Sequence, residues 1–249
     1  METVKTPTWI ALGILMAVGT VATFLAPPAP AFQVPDLARL VFFHLPCALT
    51  SALFFVAAPY FAFRYLRTED RRWDLRAEAA MEIAVVTGIL TLATGIIFSK
   101  VQWGAWWNWD PRQTSYLLVM FISAAYFAVR AAYGDTARRA ANAAAYSLSS
   151  VLPVLFLIFV YPRLPMVKSL HPNVIAEGGF DSVYRGVFYS MFALVFVACL
   201  GLFRFRYRVG LIEMLVDDSD AELANRDRIA APGVVRPVAL SPESRKATK

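Results

Sequence analysis

Charge, cysteine and histidine are all scarce in this chain, and each shortage removes a class of protein. Only 17% of the 249 residues are charged, against about a quarter in an ordinary soluble domain. The two cysteines, Cys47 and Cys199, both lie inside apolar runs, which excludes a secreted scaffold stapled by disulfides. No glycine-rich loop ends in Lys-Ser or Lys-Thr, so the chain does not read as an ATP-hydrolysing machine. A net charge of +6 could suggest nucleic acid. The basic residues, however, sit mainly between apolar runs, as membrane topology places them, and no nucleic-acid partner is expected.

What the chain has in excess is apolar surface. Hydrophobic residues make up 58% of it, 19 of them phenylalanine, and the mean hydropathy is +0.53. A helix crossing the hydrocarbon needs about 20 mostly apolar residues, because every backbone group must be paired internally. Six segments qualify: Trp9–Ala26, Leu40–Phe63, Ala79–Ser99, Ser115–Ala132, Ala143–Tyr161 and Gly186–Phe205. The expected fold is all-α, a polytopic protein with six transmembrane helices whose first partner is the lipid bilayer. The first segment lacks a strongly basic start, and the proline-rich stretch after it offers no clear small-x-small cleavage site, so it reads as an uncleaved helix. Residues 1–210 form the expected membrane domain, and residues 211–249 a polar tail with a short helix and a frayed end.

Basic residues set the expected orientation. Arg64, Arg67, Arg71, Arg72 and Arg76 lie between spans two and three, Arg130, Arg138 and Arg139 between four and five, and Arg204, Arg206 and Arg208 after span six. Positive-inside logic puts these loops and both termini in the cytoplasm. The loops at 27–39, 100–114 and 162–185 then face outward. Their carboxylates, Asp36, Asp110, Glu177 and Asp181, are not paired in sequence, so neither acid–base nor hydrolytic catalysis is expected. Glu78 and Glu82 are expected to balance the arginines of the preceding loop at helix spacing. Gly88 and Gly95 are expected to permit close helix packing.

The outward loop at 100–114 holds four of the chain's six tryptophans: Trp103, Trp106, Trp107 and Trp109. Trp favours the headgroup layer, but a belt would spread its tryptophans over several helix ends. If this stretch is helical, Trp103, Trp106 and Trp107 share a face, which suits a large, flat, apolar ligand. Asp110 followed by Pro111 reads as the N-cap and first residue of span four. Arg112 could then pair with Asp110 or with an anionic ligand group.

Both histidines fall on the same outward side, His44 at the outer end of span two, near its start, and His171 before span six. Two imidazoles beside a flat aromatic surface could supply both axial ligands to a haem iron. Each could instead be a lone interfacial histidine with an ordinary hydrogen bond. Zinc would lack the further thiolates or carboxylates it needs. Cys47, three residues after His44, reads as a packed thiol, with a third soft ligand or a redox thiol as the alternative.

The stretch Trp103–Ser115, "WGAWWNWDPRQTS", resembles the tryptophan-rich signature of the haem-handling membrane proteins of cytochrome c biogenesis, the CcmC, CcmF and CcsA branches. The six-span length, the histidine opening span two and the "SLHP" histidine before span six are similar to the CcmC branch; Asn108 and Pro111 lean toward CcsA. The resemblance implies haem b carried as cargo at the periplasmic face of the bacterial inner membrane. It implies His44 and His171 as axial ligands, and Trp103, Gly104, Trp106, Trp107, Trp109 and Asp110 as the platform, with Arg112 and Thr114 just after it. The implied partners are the haem chaperone CcmE, the ABC-transporter subunits CcmA and CcmB, and the small membrane protein CcmD. Other readings remain: a CcsA-like delivery component, a haem-bearing electron-transfer subunit, or a permease subunit that carries no haem.

Overall fold

The computed structural model describes residues 6–29, 32–171 and 181–230. Among them the backbone forms six long helices and no strand: α1 (Thr6–Leu25), α2 (Val41–Thr68), α3 (Arg71–Trp103), α4 (Pro111–Ala131), α5 (Thr136–Leu155) and α6 (Ser182–Ala230). Each contains a segment long and apolar enough to cross a membrane. The all-α polytopic architecture therefore follows the apolar runs, as it must where lipid cannot satisfy open backbone groups. Contacts divide the chain into a compact unit, Met1–Val209, and a second, Gly210–Lys249. The frayed end expected of the tail lies at 231–249, outside the described residues, as does Glu177.

The helices run past their apolar cores, and this changes the reading of the loops. Only Glu69 and Asp70 join α2 to α3. Glu69 takes a left-handed backbone, φ 55°, and its N–H bonds the Tyr65 carbonyl at 2.7 Å. Asp70 then caps α3 by accepting from the Arg72 N–H at 2.9 Å. Arg64 and Arg67 accordingly ride on α2, and Arg71, Arg72 and Arg76 on α3, rather than in a loop. Arg64 and Arg76 both lie over the Trp73 ring, 4.4 and 4.3 Å from its centre.

Arg130 is the sharper correction. Taken from the sequence as a loop charge, it is instead a buried residue in the last turn of α4. Its guanidinium forks onto Asp74 at 2.7 and 3.1 Å and onto Glu78 at 3.1 and 2.9 Å. Glu78 is thus balanced across the bundle and not by its own helix. Glu82 likewise pairs with Arg206 of α6 at 2.7 Å. Charges on helix flanks that lack water are held by each other, because an uncompensated one there costs several kcal/mol.

Small residues let the backbones meet. Ala58 and Ala62 of α2 and Ala80 and Ala84 of α3 are fully enclosed, the close approach that packs helices where no hydrophobic drive separates them from lipid. At the other end of the bundle, aromatic pairs fill the core: Phe42 with Tyr184, ring centres 4.3 Å apart, and Phe32 edge-on to Phe98 at 5.8 Å. In α5, Pro153 removes one N–H from the ladder. The chain beyond α5 continues as a π-helical turn, Phe156–Val160, and a tight 3-10 turn, Tyr161–Arg163. Such turns recur where a helix is bent to serve a site.

Candidate functional site

Helix α3 stops at Trp103 because Gly104 adopts φ 79°, a conformation disfavoured for residues with a Cβ. Residues 104–110 are not helical, so Trp103, Trp106 and Trp107 do not share a helix face. Instead a polar mesh folds the segment. Ser99 Oγ donates to the Ala105 carbonyl at 2.8 Å, Asn108 Nδ2 to Ser99 Oγ at 2.7 Å, and the Asn108 N–H to Gln113 Oε1 at 3.1 Å. The buried amide of Gln102 brackets the Val34 N–H and carbonyl, both at 3.0 Å, tying down the segment before α2. Sequence reading passed over Ser99, Gln102 and Gln113. Their signal was available: three small or amide side chains at the edge of a tryptophan cluster, where buried backbone needs partners.

The four indoles divide. Trp103 packs edge-to-face on the His171 ring at 4.8 Å and on Phe98 at 5.7 Å. Trp106 and Trp109 stand out, 58% and 76% exposed, with Trp107 edge-on to Trp109 at 6.0 Å. Trp109 itself has φ 54°, a left-handed conformation that is uncommon for a bulky side chain and costs about 1–3 kcal/mol. The next residue holds the segment in place.

Asp110 caps α4 as its sequence position suggests, accepting from the Arg112 N–H at 2.9 Å, with Pro111 first in the helix. The same carboxylate gathers the segment before α6. It accepts from Ser169 Oγ at 3.0 and 3.1 Å, the Leu170 N–H at 2.6 Å and His171 Nδ1 at 3.0 Å. Burial opposes its ionisation, but the bonds from His171, Leu170 and Arg112 outweigh that cost and hold the carboxyl well below the usual carboxylate range. The carboxylate accepts from Nδ1–H, so Nε2 is the ring nitrogen that Asp110 leaves unengaged.

His44 reaches the same state by different means. Its Nδ1 lies 3.1 Å from the Thr91 carbonyl and 3.1 Å from Thr94 Oγ1. A carbonyl only accepts, so Nδ1 carries the proton and Nε2 is left as the donor of a lone pair. Gly95 faces this ring: a Cβ there would sit 3.1 Å from His44 Cε1. The sequence suggested that Gly95 serves helix packing; what it clears is space for an imidazole.

The two histidines, far apart in the chain, line one cavity of about 220 Å³. Its apolar wall comes from α2, α3 and the π-helical turn, including Leu45, Ala48, Leu92, Ile96, Leu157 and Ile158. Arg112 and Arg163 also line it. Arg163 Nη1 donates to the Ile158 and Phe159 carbonyls, each at 3.0 Å, closing the π-helical turn. None of the four tryptophans is in this wall, nor are Gly104, Thr114 or Lys168. Cys47 is buried and is not among the residues that line it. The arrangement offers two imidazole nitrogens, cationic side chains and an apolar wall, with exposed indoles on the neighbouring segment.

Residues 1–218 match the family model described as Heme exporter protein C. The protein of that name from Escherichia coli K12 is 28% identical over 210 residues, covering 82% of this chain and 84% of its own. Those from Paracoccus denitrificans and Bradyrhizobium diazoefficiens are 28% and 29% identical, covering 49% and 59% of this chain and 50% and 57% of their own.

Proposed function

Because the chain belongs to the heme exporter protein C family, we propose that it takes haem b as transient cargo into the two-histidine cavity and presents it to a haem chaperone. Membership itself places the chain in haem handling for cytochrome c maturation. The observation that carries the finer reading is the pair of imidazoles on one cavity, each with Nδ1 already engaged. Histidines that bind metal through Nε2 are usually oriented in this way, by a carbonyl or carboxylate on the other nitrogen. His44 and His171 then hold the iron, Arg112 and Arg163 meet the propionates, and the apolar wall meets the macrocycle.

The basic flanks of α2–α3 and α4–α5 support an inner-membrane orientation with both termini cytoplasmic. The cavity then opens at the periplasmic side. Trp106 and Trp109, exposed beside it, supply an apolar surface for the haem edge and for the chaperone CcmE, in a complex with CcmA, CcmB and CcmD. In this reading the chain holds and releases its cargo.

The test is chaperone loading in cells that carry the remaining maturation proteins. His44→Ala or His171→Ala abolishes haem-loaded chaperone, and Trp106→Ala reduces it. Wild-type loading by the double histidine variant contradicts the proposal.

A further inference from the structure

The two imidazoles are held by unlike partners. His44 Nδ1 faces a backbone carbonyl and a hydroxyl, both neutral. His171 Nδ1 faces the carboxylate of Asp110, whose side chain is 1% exposed. Three other donors share that carboxylate: Ser169 Oγ, the Leu170 N–H and the Arg112 N–H. Asp110 is therefore the junction at which the cap of α4 and the orientation of His171 meet.

A carboxylate on Nδ1–H draws the proton toward itself and gives the imidazole partial imidazolate character, which raises its basicity as a ligand. A neutral carbonyl does this far less. Second-shell hydrogen bonding of this kind is one of the levers by which a protein sets the potential of a haem iron. From this asymmetry we infer that Asp110 is a positioning residue that makes His171 the stronger iron ligand, favours the ferric state and leaves His44 as the ligand released first. The inference rests on the two-histidine reading. It adds an order to release: cargo parts from α2 while still held by the segment that Asp110 ties to α4. Ser169 moderates the effect, because each donor on the carboxylate weakens its pull on His171.

Spectroelectrochemical titration of the full-length, detergent-purified chain loaded with haem tests this, using variants that push in opposite directions. Asp110→Asn keeps a side-chain oxygen for the helix cap and removes the charge. Its midpoint potential rises by about 59 mV, a tenfold loss of ferric preference for a one-electron couple. Ser169→Ala leaves the carboxylate in place with one donor fewer, and its potential falls. General damage to the site would not move the two in opposite directions. Should Asp110→Asn fail to hold haem, the sign of the Ser169→Ala shift decides alone. No shift, or an upward one, overturns the inference. Unchanged potentials in both variants, with the six-coordinate spectrum still lost in His171→Ala, would sink this inference and leave the two-histidine reading standing. A spectrum indifferent to His171→Ala would sink the reading itself.

Discussion

One methyl group on Gly95 tests where His44 must stand. A Cβ would press on Cε1 of the ring at 3.1 Å, and crowding of this kind in a packed site costs about 1–3 kcal/mol. Gly95→Ala should fold normally and lose about tenfold or more in haem affinity, since 1.4 kcal/mol is a factor of ten. Haem titration followed by Soret absorbance checks it, and unchanged affinity would mean that the ring is not held against α3. At this scale the sequence offered the residue types but not their partners. That His44 and His171 lie at the same end of the bundle, and that Asp110 caps α4, could be read directly. That Asp110 also reaches His171 could not, because the contact joins the start of α4 to a segment beyond α5 and leaves no local pattern.

Helix ends and flanks carry the next two predictions. Gly104 ends α3 at φ 79°, so Gly104→Ala should destabilise the protein by about 1 kcal/mol, and more for a branched side chain. Equilibrium unfolding in mixed detergent micelles measures this, and a neutral result would show that residue 104 tolerates another conformation. The Arg130 fork is worth more. Arg130→Met leaves Asp74 and Glu78 enclosed without a cation, a loss of about 3–5 kcal/mol. Replacing all three with apolar residues should recover most of it. If Arg130→Met were neutral, the fork would be solvated rather than buried. Apolar periodicity made the six helices legible, but it could not say that Arg130 belongs inside. An arginine after an apolar run reads as a flanking charge unless the carboxylates of another helix are known to face it. The tryptophan segment failed for a related reason: its spacing fits a helix, while Gly104 and the mesh of Ser99, Asn108 and Gln113 impose an irregular path.

Across the molecule, sidedness separates two jobs. Basic flanks gather at one end of the bundle, and the histidine cavity, tryptophan segment and Asp110 junction at the other. Reporter fusions at Asp70 and Gly134 should report cytoplasm, and a fusion at Lys168 the periplasm; the reverse pattern would put the cavity on the wrong side for delivery to a periplasmic chaperone. The cavity itself was not legible in the sequence, since its wall joins short groups of residues from α2, α3, α4 and the π-helical turn that lie far apart in the chain. The absorption spectrum of haem-loaded, detergent-purified protein beside its histidine variants bears on the central claim most directly. Two-histidine ligation predicts a six-coordinate low-spin spectrum that is altered in His44→Ala and in His171→Ala and lost in the double variant. Full haem content and an unchanged spectrum in that double variant would contradict it.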